Sequence, residues 1–186
     1  MCQHLTALTI VGGSHPAAFG TIVHDDLAAI GINLDVHDVS GPAFFQTIGD
    51  PTSRTPMAIG WGWRNDYPNG SDFFTELFTS AAIAGGIGFS LLGATPDQLR
   101  EWGYTVSSVP SVDDRIDLCL PLAGYAQSRC WAALDEYMME EVVAVLPIVT
   151  EGYIEVLPAR VTAYSYDQAF NLPALDRIAV SSHGLR

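Results

Sequence analysis

The sequence predicts an α/β fold that starts β-α-β-α-β and continues into a long C-terminal helix and strands. Three observations predict it. Residues 5–11 (LTALTIV) and 32–39 (INLDVHDV) alternate and are rich in β-branched side chains, the pattern of strands. Between them, Phe19, Ile22, Val23, Leu27 and Ile30 recur at spacings of three and four, the pattern of an amphipathic helix. A third apolar run, residues 57–63, follows a second short helical segment. Short connections of this kind suit parallel strands joined by crossover helices.

Each element has its own punctuation. Gly12, Gly13, Ser14, His15 and Pro16 stop the first strand, with Ser14 a candidate N-cap and Pro16 suited to the first helical turn. Gly31 stands where a helix closes in the left-handed conformation. Ser40 or Gly41 opens the second helix, with Pro42 near its start and Phe44, Phe45 and Ile48 as its apolar face. Residues 50–54 read as a loop.

The stretch 57–78, MAIGWGWRNDYPNGSDFFTELF, changes character midway. After Ile59 come Gly60-Trp61-Gly62-Trp63, two indoles beside two residues without side chains, then Arg64-Asn65-Asp66-Tyr67 and a Pro68-Asn69-Gly70 turn. Ser71-Asp72 is placed to cap a helix whose apolar positions are Phe73, Phe74, Leu77 and Phe78. Aromatics, a carboxylate and glycines at the exit of a parallel strand are the material of a ligand pocket. The plainer reading is a core strand running into a polar surface turn.

Beyond residue 79 the signals are weaker. Gly85-Gly86-Ile87-Gly88 has neither a clear feeding strand nor a following Lys-Ser/Thr, so it does not make a phosphate cradle. Thr95 starts a short helix through Trp102 that Gly103 ends, and Asp113-Asp114 read as solvated loop acids. Residues 127–143 form the clearest helix, with Trp131, Leu134, Tyr137, Met138 and Val142 on one face. Residues 146–150, 153–157 and 161–166 read as strands, and 177–180 as a last short one. Residues 181–186 read as a frayed tail.

Composition narrows the function. Among 186 residues, 21 acidic side chains stand against 8 basic ones, for a net charge of −13. Such a chain lacks the basic face that nucleic acids and anionic membranes require. No run of 18 apolar residues is present, and the first residues lack the basic and apolar regions of a signal peptide. Of the three cysteines, Cys119 and Cys130 could close a disulfide worth roughly 3 kcal/mol in loop entropy, or remain two buried thiols. Cys2 would be left over. No cysteine–histidine cluster has zinc spacing.

A catalytic constellation is not legible. His4, His15, His24, His37 and His183 form no HExxH, and Ser14 is not in a G-x-S-x-G elbow. His24 reads as a polar-face residue and His37-Asp38 as a solvated strand end. The neighbouring acids Asp25/Asp26 and Glu140/Glu141 do not converge on one substrate. All eight basic residues are arginine, which excludes lysine Schiff-base and P-loop chemistry. The chain therefore reads as non-enzymatic, without a cofactor; a small α/β hydrolase or transferase of unknown chemistry is the alternative.

Four stretches together carry a family resemblance. Residues 26–34 (DLAAIGINL) resemble a helix-into-strand segment "dL..iGi.v", and residues 57–68 (MAIGWGWRNDYP) resemble a "W..DYP" segment. Residues 131–147 (WAALDEYMMEEVVAVLP) look like a helix followed by "..P..", and 161–164 (VTAY) are similar to a "V.gy" strand. In this order they resemble the C-terminal part of a family 5 extracellular solute-binding protein, the oligopeptide- or dipeptide-binding component of an ABC importer. Residues 93–114 and the Cys119/Cys130 pair look like the actinobacterial branch.

The resemblance implies a periplasmic-binding-protein-like (type II) fold of two α/β lobes that close on ligand. Residues 1–186 would be a partial single domain, the C-terminal lobe with returning C-terminal elements, and the first lobe and secretion signal would be missing. The resemblance also implies that Asp66 pairs with a ligand's α-amino group while Trp63 lines the pocket, with Tyr67 adjacent and Trp61 a further candidate for its apolar wall; alternatively, Asp66 is a turn-capping acid. The implied partners are a peptide or other small solute and, in a full-length context, ABC permease subunits at the cell surface. One lobe offers half a cleft, so binding is expected to be weak; a truncated product without binding activity is the further alternative.

Overall fold

The structure, a computed structural model, describes residues 4–12, 18–86, 88–148, 154–167, 170 and 172–181. The expected cap at Ser14 and Pro16, the leftover Cys2 and the tail beyond Ser181 lie outside them. The chain is mixed α/β. Strand β1 (His4–Ile10) is followed by helix α1 (Ala18–Ala29), β2 (Asn33–Val39), α2 (Gly41–Ile48) and β3 (Met57–Ala58). The three strands form a parallel sheet in the order β2-β1-β3. β1 and β2 pair along their whole length, from His4 with Asn33 to Ile10 with Val39. Because β1 is central, the connection from β2 crosses over it to reach β3, and the order reverses between β1 and β3.

Alternation decides which face is covered. Ala7, Leu34 and Ile59 are buried, and Leu5, Val36, Phe19, Val23 and Leu27 pack around them. Helix α1 comes close to the sheet at Gly20, where a Cβ would lie 3.1 Å from Val36 Cγ1. The expected apolar face of this helix is narrower than the spacing suggested. Ile22 lies to one side of the Phe19–Val23–Leu27 stripe and Ile30 lies beyond the helix end, and both are exposed. Ser40 caps α2 through Ala43 N–H, and Phe44 is fully buried, whereas Phe45 is exposed rather than part of the buried face.

The third strand is shorter than expected. Only Met57 and Ala58 pair with Ala7 and Leu8, and Ile59 N–H adds one bond to Leu8 O. Gly60 then takes φ +73°, a left-handed conformation that turns the chain out of the sheet. Trp61 and Trp63 consequently lie beyond the strand.

The remaining helices build a second cluster. These are α3 (Ser71–Phe78), α4 (Ser80–Ala84), α5 (Pro96–Glu101), α6 (Asp113–Cys119) and α7 (Gly124–Tyr137). Phe74, Leu92, Val112, Ile116, Cys119, Trp131, Leu134 and Met138 are buried together. Thr95 caps α5 in a reciprocal box: its hydroxyl accepts from Gln98 N–H and its own N–H donates to Gln98 Oε1. The Asp113-Asp114 pair, expected in a solvated loop, instead opens α6, and Asp113 accepts a 3.0 Å bond from Ser80 N–H at the start of α4. A carboxylate at a helix N-terminus meets the positive end of the dipole. Helix α7 ends earlier than expected, passing at Met138–Val142 into a π-turn that Val143 closes at φ +52°. Cys119 and Cys130 are joined by a disulfide that ties α6 to α7 across a Cα–Cα distance of 5.5 Å.

The C-terminal segment departs most from expectation. The strands expected at 146–150 and 153–157 do not form over their described residues, 146–148 and 154–157, while 149, 150 and 153 lie outside the described residues. The alternation there has no sheet neighbour, and Leu146, Ile154 and Val156 are largely exposed. Short antiparallel pairs follow instead, β4 (Val161–Ala163) with β7 (Ala179–Val180) and β5 (Tyr166–Asp167) with β6 (Leu172–Pro173). The expected strand at 161–166 is thus split between two sheets, and Arg177 ends a helical turn rather than opening the last strand.

Candidate functional site

The stretch after β3 is held by one buried carboxylate. Asp72, on the first turn of α3, is 2% exposed. Its Oδ2 accepts a 2.8 Å bond from Asp66 N–H and a 3.4 Å bond from Trp63 Nε1–H. The sequence suggested that Ser71-Asp72 caps α3. The N-cap position is Gly70, without a side-chain cap, and Asp72 reaches back to the preceding loop instead. A side chain that caps its own helix and one that organises a distant loop have the same residue type, so composition did not separate them.

Several other polar groups of the loop bond within it. Asn69 N–H bonds Tyr67 O at 2.8 Å, and Asn69 Oδ1 accepts from Ser71 N–H at 3.0 Å. The Tyr67 hydroxyl lies 3.1 Å from Ser71 Oγ. Asn69 Nδ2 donates to Gln127 Oε1 on α7 at 2.8 Å, which anchors the turn to the second cluster. Beside it, Gly70 packs directly on Trp131. A Cβ at Gly70 would lie 2.7 Å from Trp131 Cγ, so only glycine fits without displacing the indole. Gly70→Ala is therefore expected to cost about 1–3 kcal/mol of unfolding free energy, the range for overpacking. Urea denaturation measures it, and a cost near zero would show that the indole moves aside freely.

The four residues singled out from the sequence have different surroundings. Asp66 and Tyr67 are exposed, and Trp63 is half-buried with its indole N–H on Asp72. Trp61 packs edge-on against Phe89, with ring centroids 4.7 Å apart. The structure thus brings Trp63 and Asp66 to a common anchor and engages Trp61 with a ring from a later segment. Sequence reasoning missed Asp72, Asn69 and Gln127 as the residues that position this loop. The one signal available for Asp72 was an acid at a position where the helix pattern leaves it among apolar neighbours.

An open cleft of about 770 Å³ lies at the carboxyl end of the parallel sheet. Thr9, Gly12, Gly20, His24, Asp38 and Gly60 are among its lining residues. From the 57–78 stretch it takes Ile59 and Gly60, so Asp66 and its aromatic neighbours lie outside its lining. Thr9 donates to Asp38 across β1 and β2. His24 Nδ1 lies 3.0 Å from Asp25, and His37 Nε2 lies 3.0 Å from Asp35, both on the exposed surface. Among the described residues no group of three His, Cys, Asp or Glu side chains is placed to hold a metal ion, and no helix is long and apolar enough to cross a membrane.

No known protein-family model, curated protein or solved structure matches the chain.

Proposed function

We propose that this chain is a ligand-binding lobe of the solute-importer type, non-enzymatic, taking a peptide or another small solute with a free amino group. In this reading Asp66 pairs with the ligand's ammonium, and Trp63, Tyr67 and Trp61 supply apolar walls. The observation that carries it is the preorganised pair at the exit of β3: an exposed carboxylate whose backbone and neighbouring indole share one buried anchor, Asp72. A rigid acid beside aromatic faces suits a primary ammonium, through a charge-assisted hydrogen bond and cation–π attraction. Preorganisation also lowers the cost of ordering the loop on binding. The sequence resemblance to peptide-binding components of ABC importers supports the same reading. It extends the reading to a type II lobe of a cell-surface protein that delivers its solute to permease subunits. The net charge of −13 is compatible with a cationic ligand.

A thermal-shift series tests it. Dipeptides and oligopeptides with free N-termini are expected to raise the melting temperature by about 3–5 °C at tenfold excess over Kd. N-acetylation of the peptide or Asp66→Ala should abolish the shift. If no free-amino peptide shifts the wild-type protein, the reading fails; if acetylated peptides bind equally well, the role of Asp66 fails.

A further inference from the structure

The Cys119–Cys130 bridge lies one helical turn from the residues that grip the candidate loop. Gln127 precedes Cys130 by three positions on α7, and Trp131 follows it directly. Gln127 Nε2 donates to Cys119 O and Leu120 O at 3.4 and 3.3 Å, the carbonyls where α6 ends. The same amide accepts from Asn69 with its Oε1, at 2.8 Å. Trp131 holds Gly70 on one side and stacks on Phe74 of α3 on the other, with ring centroids 5.5 Å apart at 14°. Two adjacent loop residues, Asn69 and Gly70, are thus held by the bridged turn. Asn69 and Gly70 lead directly into Asp72, whose carboxylate positions Asp66 and Trp63.

We infer that the disulfide is a redox latch on this loop, with Gln127 as its positioning residue. Closed, the bridge fixes the α6 terminus against α7, and Gln127 can span from those carbonyls to Asn69. Opening needs a dithiol reductant. A thiolate attacks the sulfur of Cys130, the more exposed of the pair, and the Sγ–Sγ bond breaks with Cys119 leaving as thiolate. The reductant's second thiol resolves the mixed disulfide. Two electrons pass to the protein, both cysteines end as thiols, and the reductant ends as a disulfide. The α6 carbonyls then separate from Gln127, and Asn69 and Gly70 lose their fixed seat. What the loop carries rests on the proposed function, but the latch itself does not, and it can be read without any ligand.

The test is native-state amide NMR of the oxidised protein, of the same protein in excess dithiothreitol, and of Gln127→Ala and Gln127→Glu with the bridge intact. Reduction is expected to shift or broaden the Asp66 and Phe73 amides and the Trp63 indole N–H. The Val11 and Ile59 amides, bonded to Val39 and Leu8 in the parallel sheet, should stay in place. Gln127→Ala should reproduce the loop shifts. Gln127→Glu, which keeps the acceptor for Asn69 but has no donor for the Cys119 and Leu120 carbonyls, should shift the same loop signals. Unmoved loop signals in the reduced protein, or sheet and loop signals collapsing together, would overturn the latch, as would a silent Gln127→Ala. A latch that behaves as expected in a protein that binds no peptide would refute the proposed function alone.

Discussion

Trp131→Ala is expected to lower the unfolding free energy by about 3–5 kcal/mol, the cost of deleting a buried aromatic. The indole is 6% exposed at the centre of the second cluster. It stacks on Phe74, faces Gly70 and sits beside the bridged Cys130, so its removal opens a cavity bounded by three helices and the candidate loop. Relaxation into that cavity is limited because the disulfide restrains α6 against α7. Trp131→Phe should cost much less. Among the described residues the indole Nε1 is buried without a hydrogen-bond partner, so phenylalanine removes a polar group that gains nothing from burial. Denaturant unfolding of the oxidised protein separates the two variants. Equal losses would mean that the indole N–H is satisfied, and a loss under about 1 kcal/mol for alanine would mean that the site collapses onto Phe74.

Asp72→Ala is expected to cost about 2–4 kcal/mol, because it leaves the Asp66 N–H and the Trp63 indole N–H without their acceptor and empties a buried position. The carboxylate is almost fully enclosed, and both donors belong to the loop that carries the candidate ligand residues. Asp72→Asn keeps one acceptor oxygen in the same volume and should lose about half as much. Asp72→Ala should also shift the Trp63 fluorescence toward that of a hydrated indole. A variant as stable as wild type, with unchanged emission, would mean that the loop is held without Asp72. Any peptide shift seen with the wild-type protein should weaken in Asp72→Asn while Asp66 itself is intact.

The legible parts of the fold are those set by local chemistry. Alternation marked β1 and β2, apolar spacing marked α1 and α7, and Thr95 announced α5 through its reciprocal cap. Each of these signals acts within about one helical turn or one strand, so nothing distant had to be known. The aromatic and acidic make-up of residues 61–67 was also visible, as was their place after the third strand. Several readings failed where a partner far along the chain decides. Asp113 starts a helix and binds Ser80, 33 residues away, so its solvated-loop reading could not survive packing. Residues 154–157 alternate like a strand yet find no neighbour to pair with, and alternation without a partner buries nothing.

The 57–78 stretch divides along the same line. Its own residues determined an apolar strand start, a glycine able to turn the chain at φ +73°, and an acid set among aromatics. Only the tertiary structure decided that Asp72 turns back to hold Asp66 and Trp63, and that Asn69 and Gly70 rest on a disulfide-tied helix pair nearly sixty residues later. The reason is physical. A turn or a strand is favoured by neighbours in sequence, whereas a buried carboxylate is stable only where the whole fold brings its donors to it and excludes water.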